Sequence, residues 1–189
     1  MIHLPTRIDM VRSLTPAGSI GAEIGVYRAD FSLQIMEQTR TKMLYLVDPW
    51  ARREDYRDTI NAEDQEGHFR ETHRKMRPFI GQGRCKIIRG YSLDVAEFDK
   101  TIPPLDFCFI DGYHAFGAAL PDLFLWSERV KPDGVIFLHD YFEGPKGGAG
   151  GDWFSGVPKA VSKFIAANPE WSITHISDED LPTVRLARE

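Results

Sequence analysis

Two stretches of this chain, Phe107-Cys108-Phe109-Ile110 and Val135-Ile136-Phe137-Leu138, are apolar at every position, and acid closes each, at Asp111 and at His139-Asp140. A strand with one wet face alternates apolar and polar side chains. One that is apolar throughout must be covered on both faces, as a parallel strand is between two layers of helices. The chain is thereby directed to an α/β fold. Asp111 and Asp140 then lie at the carboxyl ends of their strands, where open α/β sheets bind ligands. Two acids on two such strands suggest one constructed site and point to an enzyme.

The rest of the chain repeats the alternation. Segments at 19–26, 43–48 and 85–90 read as three more strands. Helical spacing appears at 29–39 (Phe31, Ile35), in the charged segment 51–78 (Phe69, His73, Met76) and at 115–130 (Leu120, Leu123, Phe124, Trp126). Ser92 offers an N-cap with Asp94 in the first turn. Pro121 should sit near a helix start or bend the helix, and Lys131-Pro132-Asp133-Gly134 reads as a turn. After a helix at 157–167 come strands at 171–176 and 183–187, joined only by the segment 177–182. That link is too short for a crossover helix, so these strands should be antiparallel. The expectation is a doubly wound, mostly parallel sheet of seven strands with a C-terminal antiparallel hairpin, in a single domain over 1–189.

Composition permits this and narrows the partners. A chain of 189 residues, 42% hydrophobic, can bury a full core. Its net charge of -5 argues against a nucleic-acid partner, whose surface would call for basic residues. Cys85 and Cys108 lack metal-ligand spacing and read as reduced core thiols. Residues 1–15 contain no signal-peptide apolar segment, and no run approaches the roughly 18 apolar residues that span a bilayer. The expected location is cytoplasmic, without a membrane partner; homo-oligomerisation is left open.

The first strand runs into Glu23-Ile24-Gly25-Val26-Tyr27-Arg28-Ala29-Asp30. A strand, a glycine turn and a helix start can cradle a nucleotide-like ligand, although an ordinary strand–helix turn fits these residues equally well. The later glycines of a dinucleotide fingerprint are missing. Asp48, at the tip of the next strand, can accept hydrogen bonds from ribose hydroxyls or serve as a turn acid before Pro49.

Four blocks, Glu23-Ile24-Gly25-Val26, Leu46-Val47-Asp48-Pro49-Trp50, Phe109-Ile110-Asp111-Gly112-Tyr113-His114 and Gly134-Val135-Ile136-Phe137-Leu138-His139-Asp140-Tyr141, together resemble class I S-adenosylmethionine-dependent methyltransferases. Within them the chain looks like the small-molecule O-methyltransferase type related to macrocin O-methyltransferases and cephalosporin-tailoring proteins. The resemblance runs from Gly21 to about Ala187. It implies S-adenosyl-L-methionine as cofactor and a small-molecule hydroxyl as methyl acceptor. It implies that Glu23 and Gly25 belong to the cofactor loop, that Asp48 holds the ribose, and that Gly90, Tyr91 and Ser92 lie near the adenine, with Asp111 also beside the cofactor. Ala29 stands where the family usually carries glycine, so the loop must take a methyl group near the methionine moiety.

In metal-dependent relatives the positions of Asp111, His139 and Asp140 hold Mg2+ or another divalent metal. His139 departs from their oxygen ligands, and an imidazole suits manganese, iron or zinc better than magnesium. Three readings stay open: a metal site, a metal-free site with His139 as general base, and an acid and histidine that only orient the substrate. His114, at the start of the next helix, is a further candidate base or cofactor contact, since a histidine titrating at about 6.5 can accept a proton near neutrality. The glycine-rich 144–156 segment, with Trp153 and Phe154, reads as a lid or as a surface loop. The cluster His68, Arg70, His73, Arg74, Lys75 and Arg77 reads as a solvated helix face ahead of a surface that meets an acidic substrate. Two rival functions are a methyltransferase-like fold that only binds its ligand and a nicotinamide-dependent oxidoreductase, whose glycine fingerprint is absent.

Overall fold

In the computed structural model, which describes residues 1–54, 59–142 and 156–189, the expected alternation forms one sheet. In chain order the elements are β1 (Ile2–Leu4), α1 (Arg7–Leu14), β2 (Ile20–Ile24), α2 (Asp30–Gln38), β3 (Met43–Asp48), a 3-10 turn (Thr59–Ala62), α3 (Gln65–Gly81), β4 (Cys85–Arg89), α4 (Ser92–Phe98), β5 (Leu105–Ile110), α5 (Phe116–Arg129), β6 (Val130–Leu138), α6 (Gly156–Ala167), β7 (Trp171–Ser177) and β8 (Val184–Arg188). The strand order is β1-β7-β8-β6-β5-β2-β3-β4. β8 runs antiparallel to both neighbours and every other pairing is parallel. Between β5 and β2 the winding reverses direction, and the crevice above that switch is where such sheets bind ligands.

The all-apolar strands divide their side chains by the two-residue period. Cys108, Ile110, Ile136 and Leu138 face α4, α5 and α6, packing with Val95, Leu123, Trp126, Val161 and Phe164. Their alternates Phe107, Phe109, Val135 and Phe137 face α1, α2 and α3, packing with Met10, Phe31, Ile35 and Met76. Phe109 lies between Phe31 and Phe137, at centroid distances of 4.4 and 6.2 Å. Truncating a core phenylalanine of this kind to alanine costs about 3–5 kcal/mol, so these strands fix the sheet's centre. Cys85 and Cys108 are both buried and unpaired, as expected of core thiols.

Three details differ from the sequence reading. The sheet has eight strands rather than seven, because Ile2–Leu4 pairs with His175–Ser177. The Lys131–Gly134 segment is extended strand: Val130 pairs with Leu105, a register irregularity follows, and Arg188 caps the Lys131 carbonyl at 2.8 Å. Pro132 is tolerated at such an irregularity, where ladder bonds are interrupted. The buried stripe of α3 is His68, Thr72 and Met76; His73 is exposed, and Phe69 is half-buried against Trp50. His68 therefore leaves the solvated basic face. Pro121 lies in the second turn of α5, where its missing N–H deprives the Gly117 carbonyl of its helical donor. The 144–155 part of the expected lid, with Trp153 and Phe154, lies outside the described residues. Among the described residues no helix is long and apolar enough to cross a membrane.

Candidate active site

The loop joining β2 to α2 is shaped by unusual backbone. Gly25, Tyr27 and Ala29 have φ of 84°, 55° and 60°, the left-handed region. At Gly25 space matters as much as torsion: a Cβ there would fall 2.6 Å from the Asp111 carbonyl carbon and 2.7 Å from Gly112 Cα. The loop thus lies directly on the backbone leaving β5. Asp48 holds it there. One carboxylate oxygen accepts the Val26 and Tyr27 amides at 2.8 and 3.2 Å, and the other accepts the Trp50 amide at 2.7 Å. Burial nonetheless raises the Asp48 pKa, against the pull of these three bonds.

A cavity of about 710 Å3, within the usual range for ligand pockets, opens over the carboxyl ends of β2, β3 and β5. Glu23, Gly25, Asp48, Ser92, Asp111 and His114 are among its lining residues. Ala29 is fully buried behind the loop, and Gly90, His139 and Asp140 also lie off the cavity wall. Ser92 is not an N-cap: α4 is capped by Tyr91, and the Ser92 hydroxyl is engaged by Asp122 and Trp126 instead.

Glu23 is buried at 2% exposure, and its Oε2 has no hydrogen-bond partner. Burial pushes its pKa up to about 8, with Ser32 lowering it and Asp111 raising it. The folded protein therefore binds a proton that the unfolded chain, at 4.5, has released. Stability conferred by the protonated form is complete below pH 4.5 and is lost as pH rises to about 8. Glu23→Gln should remove that loss. Its unfolding free energy, measured by denaturant titration at each pH, should exceed the wild-type value by a margin that widens up to pH 8 and levels above it, reaching on the order of a few kcal/mol. A margin independent of pH would show that the Glu23 carboxyl is not held protonated.

The four residues at the tips of β5 and β6 form a closed ring of alternating charge. Asp111 Oδ1 lies 3.2 Å from His139 Nδ1, which lies 2.9 Å from Asp140 Oδ1. Asp140 Oδ2 lies 3.1 Å from His114 Nδ1, whose Nε2 returns to Asp111 Oδ1 at 3.3 Å. Only the last contact is an aligned hydrogen bond among these; the buried His139 Nδ1 and Asp140 Oδ1 are directionally unsatisfied. Burial opposes charge on His139, but Asp111 and Asp140 outweigh it and push its pKa up to about 10. His114 is raised in the same way, against burial, by both carboxylates. Asp111, despite its burial, is held well below the carboxylate range by His139 and His114. Asp140 sits at φ 57°, the turn that brings its carboxylate back over the ring.

Arg7 completes the rim from outside the expected set. Its Nη1 reaches Asp111 Oδ2 at 3.4 Å, its backbone amide donates to Glu179 at 2.6 Å, and its guanidinium lies 4.6 Å over Phe31. Thr6-Arg7-Ile8-Asp9 did carry a signal: Thr6 caps α1 by accepting the Asp9 amide and donating to its carboxylate. Nothing local marked Arg7 or Asp122 as cavity residues, because the elements that place them there are distant in sequence.

A family model described as a methyltransferase domain matches residues 22–141, a span that contains the loop, Asp48 and the whole charged ring. The chain belongs to that family, the class I methyltransferases of the S-adenosylmethionine-dependent type. Among solved structures it is similar to the O-methyltransferase from Bacillus cereus in complex with S-adenosylhomocysteine (TM-score 0.70, 16% identity, covering 98% of this chain and 82% of that one). It is also similar to TrmK from M. capricolum in complex with S-adenosylhomocysteine (0.65, 14%, 98% and 69%). An rRNA methylase from Streptococcus thermophilus is a third (0.62, 10%, 96% and 93%). At these identities the likeness establishes the fold, including its C-terminal antiparallel hairpin. No curated protein matches the chain in sequence at a significant level.

Proposed function

We propose that this protein transfers a methyl group from S-adenosyl-L-methionine to a hydroxyl oxygen of a small molecule. The observation that carries this reading is the ring of Asp111, His139, Asp140 and His114 beside the cavity over β2, β3 and β5. A hydroxyl must lose its proton to become a useful nucleophile, and a cluster of paired acids and imidazoles is machinery for that step. The expected resemblance to macrocin O-methyltransferases and cephalosporin-tailoring proteins belongs to the same proposal. The net charge of -5 favours a small molecule over RNA as acceptor, although two of the similar structures named above are a TrmK and an rRNA methylase.

Bound in the cavity, S-adenosyl-L-methionine supplies the electrophilic methyl group. Glu23 and Gly25 line the part of the wall next to Asp111, and Asp48 Oδ1 keeps one lone pair beyond those the three amides use, available for a ribose hydroxyl. Ala29 contributes through the left-handed backbone it adopts rather than through a contact. Gly90 acts at one remove as well, behind Tyr91 and Ser92 on the wall assigned to the adenine.

The ring fits a divalent cation. Its four ligand atoms lie within 4.8 Å of one another, and the unsatisfied His139 Nδ1 and Asp140 Oδ1 are donors of the required kind. Two imidazoles and two carboxylates suit manganese, iron, cobalt or zinc better than magnesium. A bound cation of this class lowers the pKa of an acceptor hydroxyl. Without one, the carboxylates push the His139 pKa up to about 10 and raise that of His114, so His139 orients and stabilises charge rather than taking a proton at neutral pH. That favours the metal reading over His139 as a free general base.

Calorimetry with S-adenosylhomocysteine tests the cofactor, and a methyl-release assay with hydroxylated small molecules and with RNA tests the acceptor. Binding together with transfer to a hydroxyl compound supports the reading. Absence of binding at millimolar ligand overturns it, and transfer to RNA alone overturns the acceptor class.

A further inference from the structure

Arg7 is the arginine of the cavity wall at the methyl-transfer end, and most of its hydrogen-bonding capacity is unspent. Its place is fixed from several sides. Thr6 caps α1, the Arg7 amide donates to Glu179 Oε2 at 2.6 Å, and the guanidinium lies 4.6 Å over the buried ring of Phe31. A guanidinium carries its N–H donors in a planar fork. Nη1 donates to Asp111 Oδ2 at 3.4 Å, and Nε lies 3.9 Å from Glu179 Oε1, an ion pair too long for a hydrogen bond. The remaining donors have no hydrogen-bond partner among the described residues, although the side chain is only 29% exposed.

Such a fork, held flat on an aromatic ring with its edge unclaimed, matches the paired oxygens of a carboxylate. Its position says which carboxylate. Arg7 meets Asp111 at Oδ2, whereas His139 and His114 meet it at Oδ1. A hydroxyl presented to the charged ring therefore lies one carboxylate away from the fork, close enough for both to engage one small molecule. We propose that Arg7 seats a carboxylate carried by the methyl acceptor, which makes the acceptor a hydroxy acid held at both groups. The inference rests on the proposed transfer to a small-molecule hydroxyl. Two contacts on one molecule fix the line of its oxygen toward the methyl group, which a single contact at the hydroxyl does not. The cofactor's own carboxylate presents the same chemistry, and the test separates the two sources.

The probes are benzoate and benzamide, alike in shape and different in charge, titrated into protein saturated with S-adenosylhomocysteine so that the cofactor carboxylate is already in place. Wild-type protein should bind benzoate at least about tenfold more tightly, as a charge-assisted bidentate pair requires. Arg7→Gln should bring the two probes within about twofold of each other and keep S-adenosylhomocysteine within about threefold of its wild-type affinity. Equal affinities in wild type, or a preference that survives Arg7→Gln, would overturn the inference. So would a loss of about tenfold or more for S-adenosylhomocysteine that disappears with the analogue lacking its carboxylate, because Arg7 would then serve the cofactor. If Arg7→Gln does not fold, Arg7→Lys keeps the charge without the fork and should weaken benzoate by at least about threefold; an unchanged affinity defeats the proposal. Methyl release to hydroxybenzamides but not to the matching hydroxybenzoates would defeat the acid and leave O-methyl transfer standing. Failure of S-adenosylhomocysteine to bind wild-type protein would instead defeat the cofactor assignment.

Discussion

Asp111→Asn is expected to slow methyl transfer by about 10²–10⁴-fold, the range for losing a group that manages protons in the transition state. Three basic side chains meet at this carboxylate: His139 and His114 on Oδ1, Arg7 on Oδ2. An amide of the same shape keeps the packing but leaves those charges facing one another, so His139 should titrate far below about 10. Histidine NMR titration would detect that shift independently of turnover. Affinity for S-adenosylhomocysteine should remain within an order of magnitude, because the loop and Asp48 are untouched. Asp140→Asn should slow transfer as well, since Asp140 touches both imidazoles. Unchanged rates in both variants would remove the ring from the chemistry.

The second large effect should come from a single methyl group. Gly25→Ala would force a left-handed torsion on a side chain and drive its Cβ into the backbone of Asp111 and Gly112. Torsional strain and overpacking together cost on the order of 3 kcal/mol. For a chain of this size that is a drop in melting temperature of about 6–12 °C. Gly83→Ala is the matched control: its φ is 69°, but nothing lies within 4 Å of the added carbon. It should lose only the torsional part, about 1–2 kcal/mol. Equal losses at the two positions would mean that the close approach of the loop to β5 contributes nothing.

What could be read in advance follows a physical division. The apolar runs and their periods carried the strand–helix alternation, because burial on two faces is written in every residue of 107–110 and 135–138. The acids at strand tips carried the ring for the same reason. What escaped were effects of distant pairing. Ile2–Leu4 is a strand only because β7 is beside it, and Lys131–Gly134 is extended only because Arg188 and Leu105 hold it so. Ser92 looked like a cap, yet Asp122 and Trp126 reach it from a different helix. Asp48 reads as a ribose-binding acid or as a turn acid, and the three backbone amides it holds fit the second reading and leave one lone pair for the first.

The sheet order also has a consequence in time. β6, which carries His139 and Asp140 at its tip, lies between β5 and β8, so one of its hydrogen-bonded borders is drawn from a strand made after it. β1, which precedes every other strand of the sheet, waits for β7 before it has a strand partner, and the Arg7 amide waits for Glu179. Pairings across such long sequence separations form late and slowly. During synthesis the half of the molecule built from β2, β3, β4 and β5 can assemble while the charged ring is still open.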